Sequence, residues 1–283
     1  TFSIFVVLKV FDLRTLDSFN LAMTLISSGG FIPVNNLSDI INTNTKEIVF
    51  SLTMLVSFFS IFFTYNLFFI RNKNIIFFQE DILLSIYFIS LLILFYLLFN
   101  FDYNFSVILL SLVSSITNIG ISLDQSPKNL SFIFLILIII GGSFVSTSSG
   151  IRLLKLYALF KFAINNLISH VKPKNVFLNK HFFLNINFEK DEISKYFLSV
   201  LIFIMSLFIL TSFLTIAGIS LESSFKLSIL TLMNTVNSSM HGLSDFNFEE
   251  LQFFTKYYLI FFMIIGRVEL LTLLIICKKF LFK

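Results

Sequence analysis

Three short stretches hold the residues of this chain best suited to chemistry. They are Ser27, Ser28, Gly29 and Gly30; Thr117, Asn118, Ile119 and Gly120; and Asn234, Thr235, Val236 and Asn237. Each follows a short, mostly apolar run, at 17–27, 105–116 and 223–235. Small residues of this kind offer their backbone rather than their side chains. A ring of carbonyls can replace the hydration shell of a monovalent cation, and glycine admits the strained dihedrals such a ring needs. Other chemistry is poorly supplied. His170, His181 and His241 lie too far apart for a zinc-ligand spacing, and Cys277, the single cysteine, can form no internal disulfide. No GxxxxGK[ST] run and no Ser-His-Asp arrangement points to nucleotide binding or hydrolysis. The chain does not read as an enzyme, and no bound organic cofactor is expected.

A second constellation is Gly141, Gly142, Ser143, Ser146, Thr147, Ser148, Ser149 and Gly150, within GGSFVSTSSG. It interrupts an apolar stretch whose first part, 130–140, is too short to cross a bilayer core of about 30 Å. Polar backbone at such depth is tolerated only where it lines water or packs against protein. The stretch reads as an intramembrane gate; the plainer alternative is a turn at the cytoplasmic surface. Arg267, with Glu269 two residues further on, lies in the last apolar helix. A charge at the bilayer centre costs roughly 2.5–3.5 kcal/mol, so it needs a partner inside the protein. Residues two apart face opposite sides of a helix. Arg267 is therefore expected to reach the hydroxyls and carbonyls of 143–149 as a latch on the gate, or else to serve as a structural helix–helix tie.

Composition says which solvent the supporting elements meet. The 283 residues are 57% hydrophobic and 13% charged, with 41 Phe and no Trp, and the mean hydropathy is +0.93. A soluble chain carries about 25% charge, so a soluble enzyme is excluded and a polytopic membrane protein remains. Apolar segments long enough to span lie near 48–70, 82–101, 130–164, 196–217 and 254–280. The three short runs cannot span. With helix-capping residues expected at Asp17 or Ser18, Asn104 or Ser106, and Ser223 or Ser224, they read as re-entrant helices returning as extended strands.

The order long, short, long then repeats: outer helix, pore helix with filter strand, inner helix. Taking Gly29, Gly120 and Asn237 as equivalent gives spacings of 91 and 117 residues. The polar insert at 165–195 absorbs the excess. The expected units are 1–70, with a truncated outer helix, 71–164, with a broken inner helix, and 196–283, separated by the cytoplasmic insert 165–195. The chain starts at Thr1 within an apolar stretch and reads as lacking an earlier part. Lys and Arg crowd the connections at 71–81 and 150–195 and the C-terminal tail, whereas Asp39, Glu47, Asp102, Asp124, Glu222, Asp245, Glu249 and Glu250 surround the short helices. By the positive-inside rule the first set is cytoplasmic and the second external. Pore helices ending inside the membrane aim the negative ends of their dipoles at a common centre, which favours a cation.

SSGGF at 27–31, TNIGIS at 117–122, GGSFVSTSSGIRLLKLYALFK at 141–161 and GRVELLTLL at 266–274 resemble the Trk/Ktr/HKT superfamily of potassium transporters, closest to the bacterial Trk-type membrane subunit. The resemblance covers essentially the whole chain and corresponds to the second, third and fourth pore units. It implies an all-α polytopic fold around a pseudo-fourfold pore in a bacterial cytoplasmic membrane. It also implies K⁺ uptake, with K⁺ held at the filter residues, a homodimer, and a cytoplasmic nucleotide-binding regulatory subunit. One departure stands out: the family's fourth filter has glycine where this chain has Asn237. A Na⁺-conducting member of the superfamily is therefore an alternative, and flux by symport or by a channel-like route is left open. A subunit of a respiratory complex is a third reading, but mid-helix charge is confined to Arg267 and Glu269 and the short helices would go unused. A non-catalytic anchor would have no reason to repeat the unit. Lys172, Lys174 and Lys180 with His170 and His181 form a basic insert, solvated or available to a regulatory subunit. His241 is expected to be a loop residue rather than a pH sensor.

Overall fold

The computed structural model describes residues 1–34, 36–60, 75–99, 103–123, 125–144, 146–171, 188, 190–243, 246–249 and 251–268. The described residues form ten α-helices: α1 Phe2–Val10, α2 Thr15–Ser27, α3 Asn44–Met54, α4 Ile75–Phe99, α5 Phe105–Ile116, α6 Ser131–Ile139, α7 Leu153–Val171, α8 Lys190–Ile216, α9 Leu221–Met233 and α10 Phe253–Val268. Two short strands, β1 Ile140–Gly141 and β2 Ile151–Arg152, lie between α6 and α7.

Helix length separates two kinds of element. Within α4 the segment Gln79–Phe99, and α8 over its whole length, are long and apolar enough to cross a bilayer. Only 11% and 28% of their most apolar windows are buried against protein, which marks surfaces made for lipid rather than core helices. The short helices α2, α5 and α9 follow the expected re-entrant runs. In α5 every residue from Ser106 to Ile116 is buried, as a helix enclosed by its neighbours requires. Asn104 precedes α5 as expected. The other two helices begin earlier than their best capping residues: α2 after Arg14 and α9 after Ser220, whose hydroxyl accepts the Ser223 N–H at 3.4 Å. Asp17 and Glu222 then sit in the first turns, where an acid meets the positive end of the helix dipole.

The 130–164 stretch is not one helix. It is α6, an interruption, and α7. Ile140 pairs with Ile151 and Gly141 with Arg152 in parallel register. A turn between two antiparallel helices would bring its ends together antiparallel. The chain instead leaves the helix, loops through 142–150 and resumes in the same direction. Two glycines make this possible: a Cβ on Gly141 would run into the Ser149 carbonyl, and one on Gly142 into the Phe58 carbonyl. Of the 48–70 stretch, only the part up to residue 60 is described. It covers α3 and a 3-10 turn, Leu55–Ser57.

Two apolar cores flank α6. Phe134 and Leu137 join a cluster with α1, α2, α3, α4 and α5, while Leu135 and Ile138 join one with α8, α9 and α10. Helix α10 approaches the end of α9 so closely that a Cβ on Gly266 would run into the Leu232 carbonyl.

Candidate ion pathway

The three short helices end alike. The N–H groups of Ser28, Asn118 and Asn234 donate to the carbonyls of Leu25, Ser115 and Thr231 at 3.4, 3.2 and 3.2 Å. Those of Gly29, Ile119 and Thr235 donate to Thr24, Ser114 and Leu230 at 3.0, 3.2 and 3.0 Å. Ser28, Asn118 and Asn234 adopt φ of 51, 59 and 53°, the left-handed cap that closes a helix by satisfying its last carbonyls. One backbone motif thus recurs on three different sequences.

Beyond the caps the three strands converge. Gly30 and Gly120 have φ of 69 and 81°. A Cβ on Gly30 would run into the Ile119 carbonyl and come within 2.6 Å of the Val236 side chain; one on Gly120 would run into the Val236 carbonyl. Ile119 and Val236 therefore occupy matching places, each with its carbonyl against the glycine of the preceding strand. The matching set is then Gly30, Gly120 and Asn237. The expected equivalence is one residue early at Gly29, whose absent Cβ would meet Ser27 Oγ only at 3.0 Å. The third strand carries one residue more than the others between cap and ring. Asn237 is not at positive φ; its amide donates to the Leu243 carbonyl at 3.0 Å, so the side chain is tied to its own loop.

On the far side of the ring, Ser239 Oγ lies 3.1 Å from Ser122 Oγ and 3.2 Å from Ser126 Oγ, joining the second and third strands. His241 is fully buried, and its Nδ1 accepts the Ser238 N–H at 3.3 Å. Burial pushes its pKa down to about 3, so the ring is neutral at physiological pH.

The loop 142–150 lies against the helix ends. Its tip touches the first strand: Thr147 Oγ1 is 3.3 Å from Ser28 Oγ. Arg267 reaches the expected stretch, donating from Nη1 to Ser149 Oγ at 3.3 Å, and also from Nη2 to the Ser27 carbonyl at 3.1 Å. Its guanidinium thus joins loop, pore-helix end and α10. Glu269 lies outside the described residues, as do Cys277 and the basic insert from Lys172 to His181.

The base of the loop is held by residues that the sequence reading left among charges or apolar segments. Arg152 Nη1 donates to the Ser143 carbonyl (2.8 Å), Ser146 Oγ (3.0 Å) and the Ser148 carbonyl (2.8 Å). Glu80 Oε1 accepts the Phe144 N–H at 2.7 Å, and Asp81 Oδ1 accepts the Ser60 N–H at 3.2 Å; both acids are buried. The Ser143 N–H donates to the Phe58 carbonyl at 3.1 Å. A hydrogen bond to an ionised group is worth roughly 1.5–3 kcal/mol against about 0.5–1.5 for a neutral pair. A signal was present: two adjacent acids, Glu80 and Asp81, head an otherwise apolar span and need interior partners.

Three short helices thus end close together, with glycines pressed on carbonyls of neighbouring strands and a loop set inside a broken helix. The family profile described as "TrkH: Cation transport protein" matches residues 121–281, more than half of the chain. The chain belongs to that family, whose members are transporters and not enzymes. Its fold is similar to that of the potassium transporter TrkH from Vibrio parahaemolyticus, with a TM-score of 0.80 at 19% identity, over 97% of this chain and 61% of that one. The chain thus spans about three fifths of the length of that structure's chain. No curated protein sequence matches it.

Proposed function

We propose that this chain forms three pore units of a protein that takes up K⁺ across a bacterial cytoplasmic membrane. The units are 1–70, 71–164 and 196–283, with 165–195 a cytoplasmic insert. The observation that carries the reading is the meeting of the three strands, where the absent Cβ atoms of Gly30 and Gly120 leave room for the Ile119 and Val236 carbonyls. Carbonyls so placed, at the negative ends of three helix dipoles, replace water around a dehydrated monovalent cation. The filter is made of residues 27–30, 117–120 and 234–237, and the transported ion is K⁺. The loop 141–150 is the gate and Arg267 its latch. Family resemblance supports a homodimer working with a cytoplasmic nucleotide-binding subunit.

The test is rubidium uptake, with Na⁺ as competitor, by the full-length protein in cells lacking their own K⁺ uptake systems. Saturable uptake resistant to excess Na⁺ is expected. No uptake despite confirmed insertion and a co-expressed regulator would defeat the reading. Asn237 in the place of a glycine favours one other outcome, in which Na⁺ competes on equal terms and the protein is a Na⁺-conducting member of the family.

A further inference from the structure

Two ends of the gate loop are held differently. At the tip, Thr147 and Ser149 make contacts of 3.3 Å with Ser28 and with Arg267, whose side chain stays exposed. At the base, the Phe144 N–H meets the buried carboxylate of Glu80 at 2.7 Å, and the Ser143 hydroxyl also hydrogen-bonds that carboxylate. Arg152 holds the Ser143 and Ser148 carbonyls at 2.8 Å and acts electrostatically on Glu80. The Phe144 ring lies under Lys155 Nζ at 5.4 Å and beside the Tyr196 ring at 6.4 Å, which adds α7 and α8 to the grip. Phe58 and Ser60, just beyond α3, are tied to the same base through the Ser143 N–H and Asp81.

We propose that Glu80 is the positioning residue of the gate: it clamps the loop at Ser143–Phe144, and Arg152 carries that hold through the Ser146 hydroxyl and the Ser148 carbonyl to the residues that meet Ser28 and Arg267. The short, buried hydrogen bond to the Phe144 N–H fixes the loop's base, and loss of that acceptor frees the residues that reach Ser28 and Arg267. Because Glu80 heads a membrane-spanning helix, displacement of α4 is passed directly to the loop. This inference rests on the transport reading above.

The experiment uses the full-length protein in cells lacking their own K⁺ uptake, with two readouts: basal rubidium leak, and the labelling rate of a Thr147→Cys reporter in a Cys277→Ser background. Arg267→Ala is the comparison for a released tip and is expected to raise leak several-fold. Glu80→Leu is expected to raise both leak and labelling at least fivefold with the rubidium-to-sodium preference unchanged. Glu80→Gln, which keeps an acceptor for the Phe144 N–H, is expected to stay within twofold of the parent. Wild-type leak and labelling in a normally expressed Glu80→Leu protein overturn the proposal, as does a changed ion preference with unchanged leak. Should the Leu variant fail to reach the membrane, Glu80→Asp, which withdraws the acceptor and keeps the charge, must show the same rise, and wild-type behaviour there overturns it equally. If the parent takes up no rubidium but labelling still responds to Glu80, the transport reading fails and the clamp stands.

Discussion

Gly29 and Gly30 are neighbours with opposite demands. Gly30 sits at φ 69° with a carbonyl where its Cβ would be, whereas Gly29 has no positive φ and its nearest Cβ contact is the end of a serine side chain. The left-handed region alone costs an L-residue roughly 1–2 kcal/mol, and the blocked carbonyl adds to it. Gly30→Ala should therefore cut rubidium uptake at least about tenfold while Gly29→Ala leaves it within about twofold. The reverse ranking would restore the Gly29 register read from the sequence. At His241 the sign of the pH effect follows from burial. The folded ring takes a proton only near pH 3, the unfolded one near 6.5. Between those values the unfolded state binds more protons, so stability falls as pH drops, by at most about 1.4 kcal/mol per unit. Above about pH 6.5 the group contributes no slope. The difference in melting temperature between the parent and His241→Asn in detergent should be flat from pH 8 to 6.5 and narrow below it. A difference that does not move with pH would show the ring to be accessible to protons in the folded state.

At the scale of elements, the interrupted helix and the α9–α10 crossing show how backbone contacts set architecture. Gly266 lets α10 lie on the Leu232 carbonyl, and Asn234 Nδ2 donates to the Met263 carbonyl at 2.9 Å in the same crossing. Overpacking there costs about 1–3 kcal/mol. Gly266→Val should lower the melting temperature of the detergent-solubilised protein by several degrees and, by shifting α10, loosen Arg267 from the gate. An unchanged melting temperature would mean that the crossing tolerates a wider spacing. Much of this level was legible beforehand. The three short helices, the break after 140 and the partner stretch of Arg267 all follow from hydropathy, glycine content and the cost of buried charge. The starts of α2 and α9 were not, because in a helix held by its neighbours the strongest capping side chain does not decide where the helix begins. Glu80 and Asp81 escaped because their partners, the Phe144 and Ser60 backbone N–H groups, carry no sequence signature.

For the whole molecule, α4 and α8 carry broad apolar faces that are exposed among the described residues, as helices that meet lipid require. Ile204 is 46% exposed near the middle of α8, and a lysine at the bilayer centre costs roughly 2.5–3.5 kcal/mol. Ile204→Lys should lower the amount of protein retained in carbonate-washed membranes several-fold, whereas a polar exchange at Ser194, near the start of the same helix, should not. Equal retention of both would place this face against protein instead of lipid.

Composition alone determined the solvent, and hydropathy placed three short apolar runs that each end in small residues. Those are properties of local pattern, since hydropathy and segment length act along the chain. Which glycine meets the neighbouring strands, where the Asn237 side chain goes, and which residues hold the 142–150 loop were decided by packing, most of it between segments far apart in sequence. Gly30 meets Ile119 and Val236, and Phe144 meets Glu80, only once the helices have packed. Both meetings are made with backbone atoms, and backbone positions are set by packing rather than by residue type.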